Sequence, residues 1–380
     1  MDFTISDELK MLRDLARQFV EKELIPLESV YVHPELPEEP RLALEKKAIE
    51  LGLWAAAAPA KFGGGGVTNL GMALIHEEMG KTCLRFELGN PANWAILALG
   101  TEQQIERYLI PTIRGERHSM IALTEPNAGS DAAAIETTAV RNGDHFVLNG
   151  TKVFSSRWER ADFMLTFAKT SPEKGRNGVT CFIVDNTTPG VRHARWITVL
   201  GGRRTSELRF EDCRLPMSAV LGDVDKGFDL MQKRVGNSRF VLSSTAIGTS
   251  VRCLTMAAAY AKHRHTFGQA LASRQAVQWM LADSAIEIRA ARLMVHDAAW
   301  RADNGMGTRT DASICKVFAT EMVGRVVDRA IQIHGGIGVT QDLPLERFYS
   351  QIRTLRIVEG PSEIHRATIA KALLRGESLV

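Results

Sequence analysis

The chain has 380 residues, 45% hydrophobic and 24% charged, so it can bury a large core and has the length of two or three domains. Its 47 basic and 44 acidic residues leave a net charge of +3, and no basic tail or Lys/Arg run is present, so nucleic acid is not an expected partner. Its cysteines (Cys83, Cys181, Cys213, Cys253, Cys315) are scattered without paired spacing, which fits a reducing compartment and argues against a disulfide framework or a zinc site.

The chain opens Met1-Asp2-Phe3-Thr4 without a charged-then-apolar leader, and no apolar run is long enough to span a bilayer. A cytoplasmic protein with no transmembrane segment is expected. Residues 1–118 read as helical. Ser6 can cap a helix whose apolar face includes Leu9, Leu12, Leu15, Ala16 and Phe19. A second helix runs from Leu42 to Leu51. The stretch Pro59 to Gly66 breaks the pattern, and a helix resumes near Asn69. Its four consecutive glycines lack P-loop spacing and a following Lys-Ser/Thr, so a flexible interhelix loop is expected.

From 119 to 225 the pattern changes to short strands. Glu136 to Arg141 and His145 to Leu148 flank Asn142-Gly143, a hairpin turn signal. Asn149-Gly150 then leads into Thr151 to Ser156. Further strands are expected at Phe163–Lys169, Val179–Val184 and Glu207–Phe210. Close spacing and tight turns imply an antiparallel sheet or compact barrel. No βαβ unit with a Gly-rich turn is present, which excludes a Rossmann nucleotide fold.

From 226 to 380 the chain is helical again. Val277, Met280, Leu281, Ile288, Val295 and Ala298 repeat at helical spacing, as do Ile314, Val317, Phe318, Met322, Val326 and Ala330. Long helices with short Gly-containing turns suggest an antiparallel, four-helix-bundle-like domain. The expected architecture is α+β: an N-terminal all-α domain, a central β domain and a C-terminal helical domain.

Near the C-terminus, Glu359-Gly360 lies between two apolar-patterned segments. Most such pairs are helix ends or turns. The pair also suits a base that removes a weakly acidic C–H proton, because glycine permits unusual backbone angles and adds no bulk. Such a base is partly desolvated and within reach of substrate. Elsewhere, Thr124 and Ser130 offer hydroxyls around Gly129, where the backbone can approach a bound group; an edge strand with a polar turn has the same pattern. Arg264 can neutralise a pyrophosphate through a bidentate contact. His263 and His265 flank it, but neighbours on a helix point apart and no carboxylate motif accompanies them, so no metal site is expected.

Four segments in order resemble the acyl-CoA dehydrogenase family: Leu123-Thr124-Glu125-Pro126-Asn127-Ala128-Gly129-Ser130-Asp131, Arg264-His265-Thr266-Phe267-Gly268 with Arg274-Gln275, Gln332-Ile333-His334-Gly335-Gly336-Ile337-Gly338, and Glu359-Gly360. They span most of the chain, and the helix–sheet–helix order agrees. The resemblance implies an FAD-dependent acyl-CoA dehydrogenase of a divergent bacterial-type branch. It takes two hydrogens from an acyl-CoA thioester and gives the trans-2-enoyl thioester. Glu359 would be the base for the α-proton, with the β-hydrogen leaving as hydride to the flavin. Leu123, Thr124, Ser130, Phe154, Ser156, Arg264, Thr266, Phe267, Gln275, Gln332, Gly335 and Gly336 are implied to contact FAD. Ser130, Arg239 and Gly360 are implied to contact substrate, and Asn90 to Ala98, with Trp94, to line the acyl pocket or pack as core. An electron-transfer flavoprotein as acceptor, a homotetramer built as a dimer of dimers, and a place in fatty acid metabolism are also implied.

The chain departs from the family at informative positions. Relatives that carry the base on an internal helix have it near Ser238, and serine cannot serve. The acidic residue usual three positions before Arg239 is Gly236, which puts a pantetheine contact in question. Pro361 and Glu363 replace the usual threonine and glutamine, which removes a hydroxyl contact to FAD. An oxidase or monooxygenase on the same fold, or a non-catalytic acyl-CoA-binding scaffold, are the alternative readings. Oxygen reactivity depends on access to reduced flavin, which no motif encodes.

Overall fold

The computed structural model describes residues 4–31, 35–307 and 309–378, with residues 235–237 described as helix only. The helices are α1 (Asp7–Phe19), α2 (Glu38–Glu50), α3 (Asn69–Met79), α4 (Pro91–Leu97), the short turns α5 (Glu102–Gln104) and α6 (Ile110–Ile113), then α7 (Gly227–His263), α8 (Gln275–Asp303), α9 (Arg309–His334), α10 (Leu345–Leu355) and α11 (Ser362–Leu374). The strands are β1 (Ser119–Ala122), β2 (Thr138–Asn142), β3 (His145–Ser155), β4 (Phe163–Lys169), β5 (Val179–Asp185), β6 (Val191–Thr198), β7 (Arg204–Pro216), β8 (Val220–Leu221), β9 (His265–Thr266) and β10 (Gln269–Ala270). By contact the chain groups into two units: residues 1–44, 67–86 and 238–380, and residues 45–66 and 87–237.

The second unit carries the sheet, in the order β6-β7-β3-β2-β4-β5-β8, with β1 beside β4. It is mainly antiparallel, but β1 and the end of β2 pair with β4 in parallel. Its core is apolar from alternate strand positions, with Phe146 against Phe182 at 5.2 Å between ring centroids. The hairpin falls one residue later than Asn142-Gly143 suggests: Asn142 pairs with His145, and Gly143-Asp144 form the loop. Asn149-Gly150 does not break the chain. It is a register shift inside one long strand, β3, where a Cβ at Gly150 would lie 2.4 Å from Thr137 Oγ1. Strand β6 has no fully buried residue and carries no apolar alternation, so no strand signal is present in its sequence. The glycine run 63–66 is not a flexible loop. Main-chain bonds from Gly64, Gly65 and Gly66 return to Pro59, Ala55 and Ala58, and a Cβ at Gly64 would lie 2.2 Å from the Ala58 carbonyl oxygen.

The first unit is helical. Ser6 caps α1 by accepting from the Leu9 N–H, as its type and place predict. The core joins α7, α8, α9 and α10 through small residues such as Ala246, Ala257, Ala291 and Ala319, filled in by Met322, Val326, Phe348 and Ile352. Small side chains let α3 and α7 approach closely. A Cβ at Gly248 would lie 1.8 Å from the Glu77 carbonyl oxygen, and Thr249 Oγ1 donates to the Gly80 carbonyl at 2.8 Å. By length and composition alone α7 would be long and apolar enough to cross a membrane, a test that the core helix of a globular fold also passes. Half of that window is buried inside the fold, as in a core helix.

The close α3–α7 contact makes a test. Gly248→Ala should destabilise the protein by about 1–3 kcal/mol, the usual cost of overpacking. Gly129→Ala, where an added Cβ meets nothing within 4 Å, should leave stability unchanged. Urea unfolding of both variants measures the difference.

Candidate active site

Within the sheet unit, the Thr124 carbonyl accepts the Val153 N–H at 2.8 Å, so the segment 123–130 lies beside the end of β3. This brings Leu123 and Thr124 beside Val153 and Phe154, with Ser130 and Ser156 further along the same two segments. A buried ion pair fixes the junction. Lys152, fully buried, donates to Glu125 Oε1 at 2.6 Å and to the Leu123 carbonyl at 3.0 Å. Glu125 also accepts from the Glu136 and Thr137 N–H groups. Burial pushes the Glu125 carboxyl up, and Lys152 with these donors outweighs it, so the group titrates below its ordinary value. Burial drives Lys152 down to about 8, against the pull of Glu125.

Phe154 is 56% exposed and holds φ of +57°. A large ring held out to solvent in a left-handed conformation is unfavourable on both counts. Among the described residues the Ser155 hydroxyl next to it is buried without a hydrogen-bond partner, and nothing lies within 4 Å of a Cβ added at Gly129. Arg157, after Ser156, also has positive φ (+76°) and pairs with Glu87, as does Arg160 at 2.8 Å. Burial raises Glu87, but Arg157 and Arg160 prevail and hold it at about 2. Trp94 is a core residue: it is buried, and its indole N–H donates to Thr112 Oγ1 at 3.0 Å.

Within the helical unit, Arg264, Thr266 and Phe267 occupy the turn between α7 and α8, and Gln275 opens α8. Phe267-Gly268 form a two-residue β9–β10 loop with φ of +50° and +76°. Phe267 is 97% exposed. Gln332 lies in the last turn of α9, and Gly335-Gly336 follow it. Stacking of Tyr260 on His334, 4.5 Å between centroids, joins the ends of α7 and α9 and so gathers both segments at one end of the bundle.

Glu359 and Gly360 form the turn between α10 and α11, with φ of +55° and +94°. Glu359 is half-buried. Around it stand Arg239 from α7, Lys316 from α9 and His365 from α11, with Arg309 of α9 acting on Arg239. The Glu359 charge acts on both Arg239 and Lys316. Arg239 is buried, its Nε has no hydrogen-bond partner among the described residues, and burial together with Arg309 lowers its pKa to about 10 despite Glu359. Gly236 lies in the stretch of α7 described as helix only. Pro361 stands at the N-cap of α11 and offers a carbonyl, not a hydroxyl, to its surroundings.

Sequence reasoning missed Lys152, Glu87, Arg157, Lys316 and His365. Glu125 lay inside a quoted motif, and Lys152 sits in the strand following it. Their pairing is a tertiary fact, as is the burial of Lys316 in a helix read only for its apolar stripe.

Three family profiles cover nearly the whole chain: the acyl-CoA dehydrogenase N-terminal domain at residues 6–116, middle domain at 120–213 and C-terminal domain at 225–374. The (R)-benzylsuccinyl-CoA dehydrogenase of Thauera aromatica is 38% identical, over 98% of this chain and 97% of that protein. The CarC subunit of the caffeyl-CoA reductase-Etf complex of Acetobacterium woodii is 37% identical, over 97% and 99%. The solved structure of butyryl-CoA dehydrogenase from Megasphaera elsdenii superposes with a TM-score of 0.90 at 32% identity, over 99% of this chain and 100% of that one.

The Lys152–Glu125 pair can be tested directly. Lys152→Met leaves a buried carboxylate without its cation, which should cost about 3–5 kcal/mol in urea unfolding. Adding Glu125→Gln should recover part of the loss, because the amide oxygen still accepts from the main chain.

Proposed function

The chain belongs to the acyl-CoA dehydrogenase family, and on that premise we propose that Glu359 is the general base of its reaction. The activity is α,β-dehydrogenation of an acyl-CoA thioester, an oxidation of a CH–CH donor, with FAD as cofactor. The exposed Phe154, the open face at Gly129 and the orphaned Ser155 hydroxyl fit a flat polar-edged ring system. In our reading Leu123, Thr124, Ser130, Phe154 and Ser156 hold it, with Arg264 for the pyrophosphate. When bound, FAD supplies the acceptor for the hydrogen that leaves the β-carbon with its electron pair.

The protein supplies placement and proton chemistry. A thioester acidifies its α-proton, but too little for a carboxylate in water. Glu359 is half-buried, in a turn that extends from two anchored helices, and its carboxylate takes the proton onto an oxygen. The Glu359 main-chain N–H is the donor this chain offers to the thioester oxygen as negative charge develops there. Fixed cations from Arg239 and Lys316 favour anionic charge in the same place. The observation that carries the assignment is this half-buried carboxylate in a left-handed turn among buried cations. An electron-transfer flavoprotein is the partner that removes the electrons, a reading supported by the Etf-complex relative.

Glu359→Gln should still bind FAD and acyl-CoA. Its anaerobic flavin reduction should slow by about 10²–10⁴-fold, the usual worth of general-base catalysis. Stopped-flow bleaching with a panel of alkyl- and aryl-acyl-CoAs measures it, and a near-wild-type rate in the variant would remove Glu359 from the mechanism.

We also propose a homotetramer, built as a dimer of dimers. On α8, Trp279, Ile286, Leu293 and Trp300 are exposed and seven residues apart, an apolar stripe on one helix face suited to a helix of another subunit. Phe267 and Arg264 project from the bundle end as a group that completes a neighbour's cofactor site would. Sedimentation should give four chains, and Arg264→Ala should lose FAD more readily by removing a charge-assisted contact. A monomer that retains FAD would overturn the assembly.

A further inference from the structure

Two buried side chains to which the sequence assigned no role hold the Glu359–Gly360 turn. Lys316 on α9, 0% exposed, donates from Nζ to the Gly360 carbonyl at 2.7 Å. His365 on α11, 1% exposed, places Nε2 3.2 Å from the Glu359 carbonyl oxygen and Nδ1 3.0 Å from Ser313 Oγ. A carbonyl can only accept, so Nε2 carries the proton and Nδ1 accepts from the Ser313 hydroxyl, which turns its one proton to Nδ1 and not to the Arg309 carbonyl 3.0 Å away. Two consecutive carbonyls are thus each held by a buried donor.

We propose that Lys316 and His365 are positioning residues for the base: by fixing both peptide planes of the turn, they hold Glu359 in the left-handed conformation from which its carboxylate reaches the substrate. This rests on the assignment of Glu359 as base. A glutamate at φ of +55° persists only where its surroundings over-determine it, and these two bonds do so. Gly360 is part of the device. Its φ is +94°, and a Cβ there would come within 3.0 Å of His365 Nε2.

The electrostatics argue that Lys316 is not kept for stability. It faces Arg239 from α7, Glu321 on its own helix, Glu359 in the turn and Glu363 on α11. Burial, then Arg239, lowers it from 10.5 to about 8 in spite of the three carboxylates. A lysine depressed in the folded state contributes its stability above 10.5, and loses it as pH falls through about 8. At neutral pH its burial therefore weighs against folding, and the hydrogen bond to Gly360 is what it provides. His365 is driven to about 4 by burial, Arg239 and Lys316, so it stays neutral and keeps the tautomer that donates to Glu359.

The test uses full-length, FAD-loaded Lys316→Met, His365→Leu and His365→Gln. At saturating acyl-CoA, anaerobic flavin reduction should slow about 10–100-fold in Lys316→Met and His365→Leu, the effect of a small misplacement of a reacting group. The acyl-CoA Kd should stay within about threefold, the pattern of an interaction realised in the transition state. His365→Gln keeps an N–H donor and should recover most of the rate, which a role in packing alone would not produce. Should Lys316→Met fail to fold, the His365 pair carries the test. Wild-type rates in Lys316→Met or in His365→Leu, or losses confined to Kd, overturn the proposal. Glu359→Gln in the same assay separates the two ideas: a slow Glu359→Gln beside a fast Lys316→Met sinks only the positioning role, whereas a fast Glu359→Gln sinks the base itself.

Discussion

A side chain resists the left-handed backbone because its Cβ crowds the main chain, at about 1–3 kcal/mol for each residue forced into it. Among the described residues, six non-glycine positions accept that cost: Phe154, Arg157, Asp212, Asp225, Phe267 and Glu359. Three of them are site residues named from the sequence, and Arg157 adjoins a fourth, Ser156. The surrounding structure has to hold each one in place. Phe154 and Arg157 follow a strand anchored by Lys152 and Glu125, and Arg157 is clamped to Glu87. Phe267 sits in a loop tied back by the Arg274 bond to the Thr266 carbonyl. Glu359 has Lys316 and His365 behind it.

Both units meet the same electrostatic problem, and meet it in different ways. In the sheet unit a lysine and a carboxylate are buried together, and main-chain donors satisfy the remaining carboxylate oxygen. Such a closed pair is rigid and leaves no charge over. In the helical unit the buried cations Arg239 and Lys316 stand beside the half-buried Glu359, and the carboxylates of Glu321 and Glu363 also act on Lys316. Burial lowers both cations in spite of these carboxylates, so this group is costly to the fold where the sheet unit's pair is closed.

The bundle owes its shape to small residues. Glycine and alanine let α3 reach α7 and fill the space among α7, α8 and α9, while Trp279, Ile286, Leu293 and Trp300 remain outside. The large apolar residues are thus left for an outer face, and the loops that carry Arg264 and Gln332 are collected at one end by the Tyr260–His334 stack.

Local features were legible in the sequence because each depends on neighbours along the chain. The Ser6 cap, the apolar stripes of α8 and α9, the limits of β4 and the four ordered motifs are of this kind. Glu359-Gly360 was legible as a turn that carries a carboxylate. Strand β6 was not, because none of its positions is fully buried, they carry no apolar alternation, and pairing with β7 makes it a strand. The four-glycine run looked flexible, since its close approach to Ala55 and Ala58 is a packing fact. Lys152, Lys316 and His365 looked like ordinary polar residues. Their roles come from burial, and burial is set by residues distant in sequence: Glu125 is 27 positions from Lys152, and Gly360 is 44 from Lys316. Local rules of propensity and turn chemistry fix which segments form and which residues end them. Only the tertiary structure decides which charges lose water and which backbone groups they must then hold, because desolvation depends on what is packed around a group and not on what precedes it in the chain.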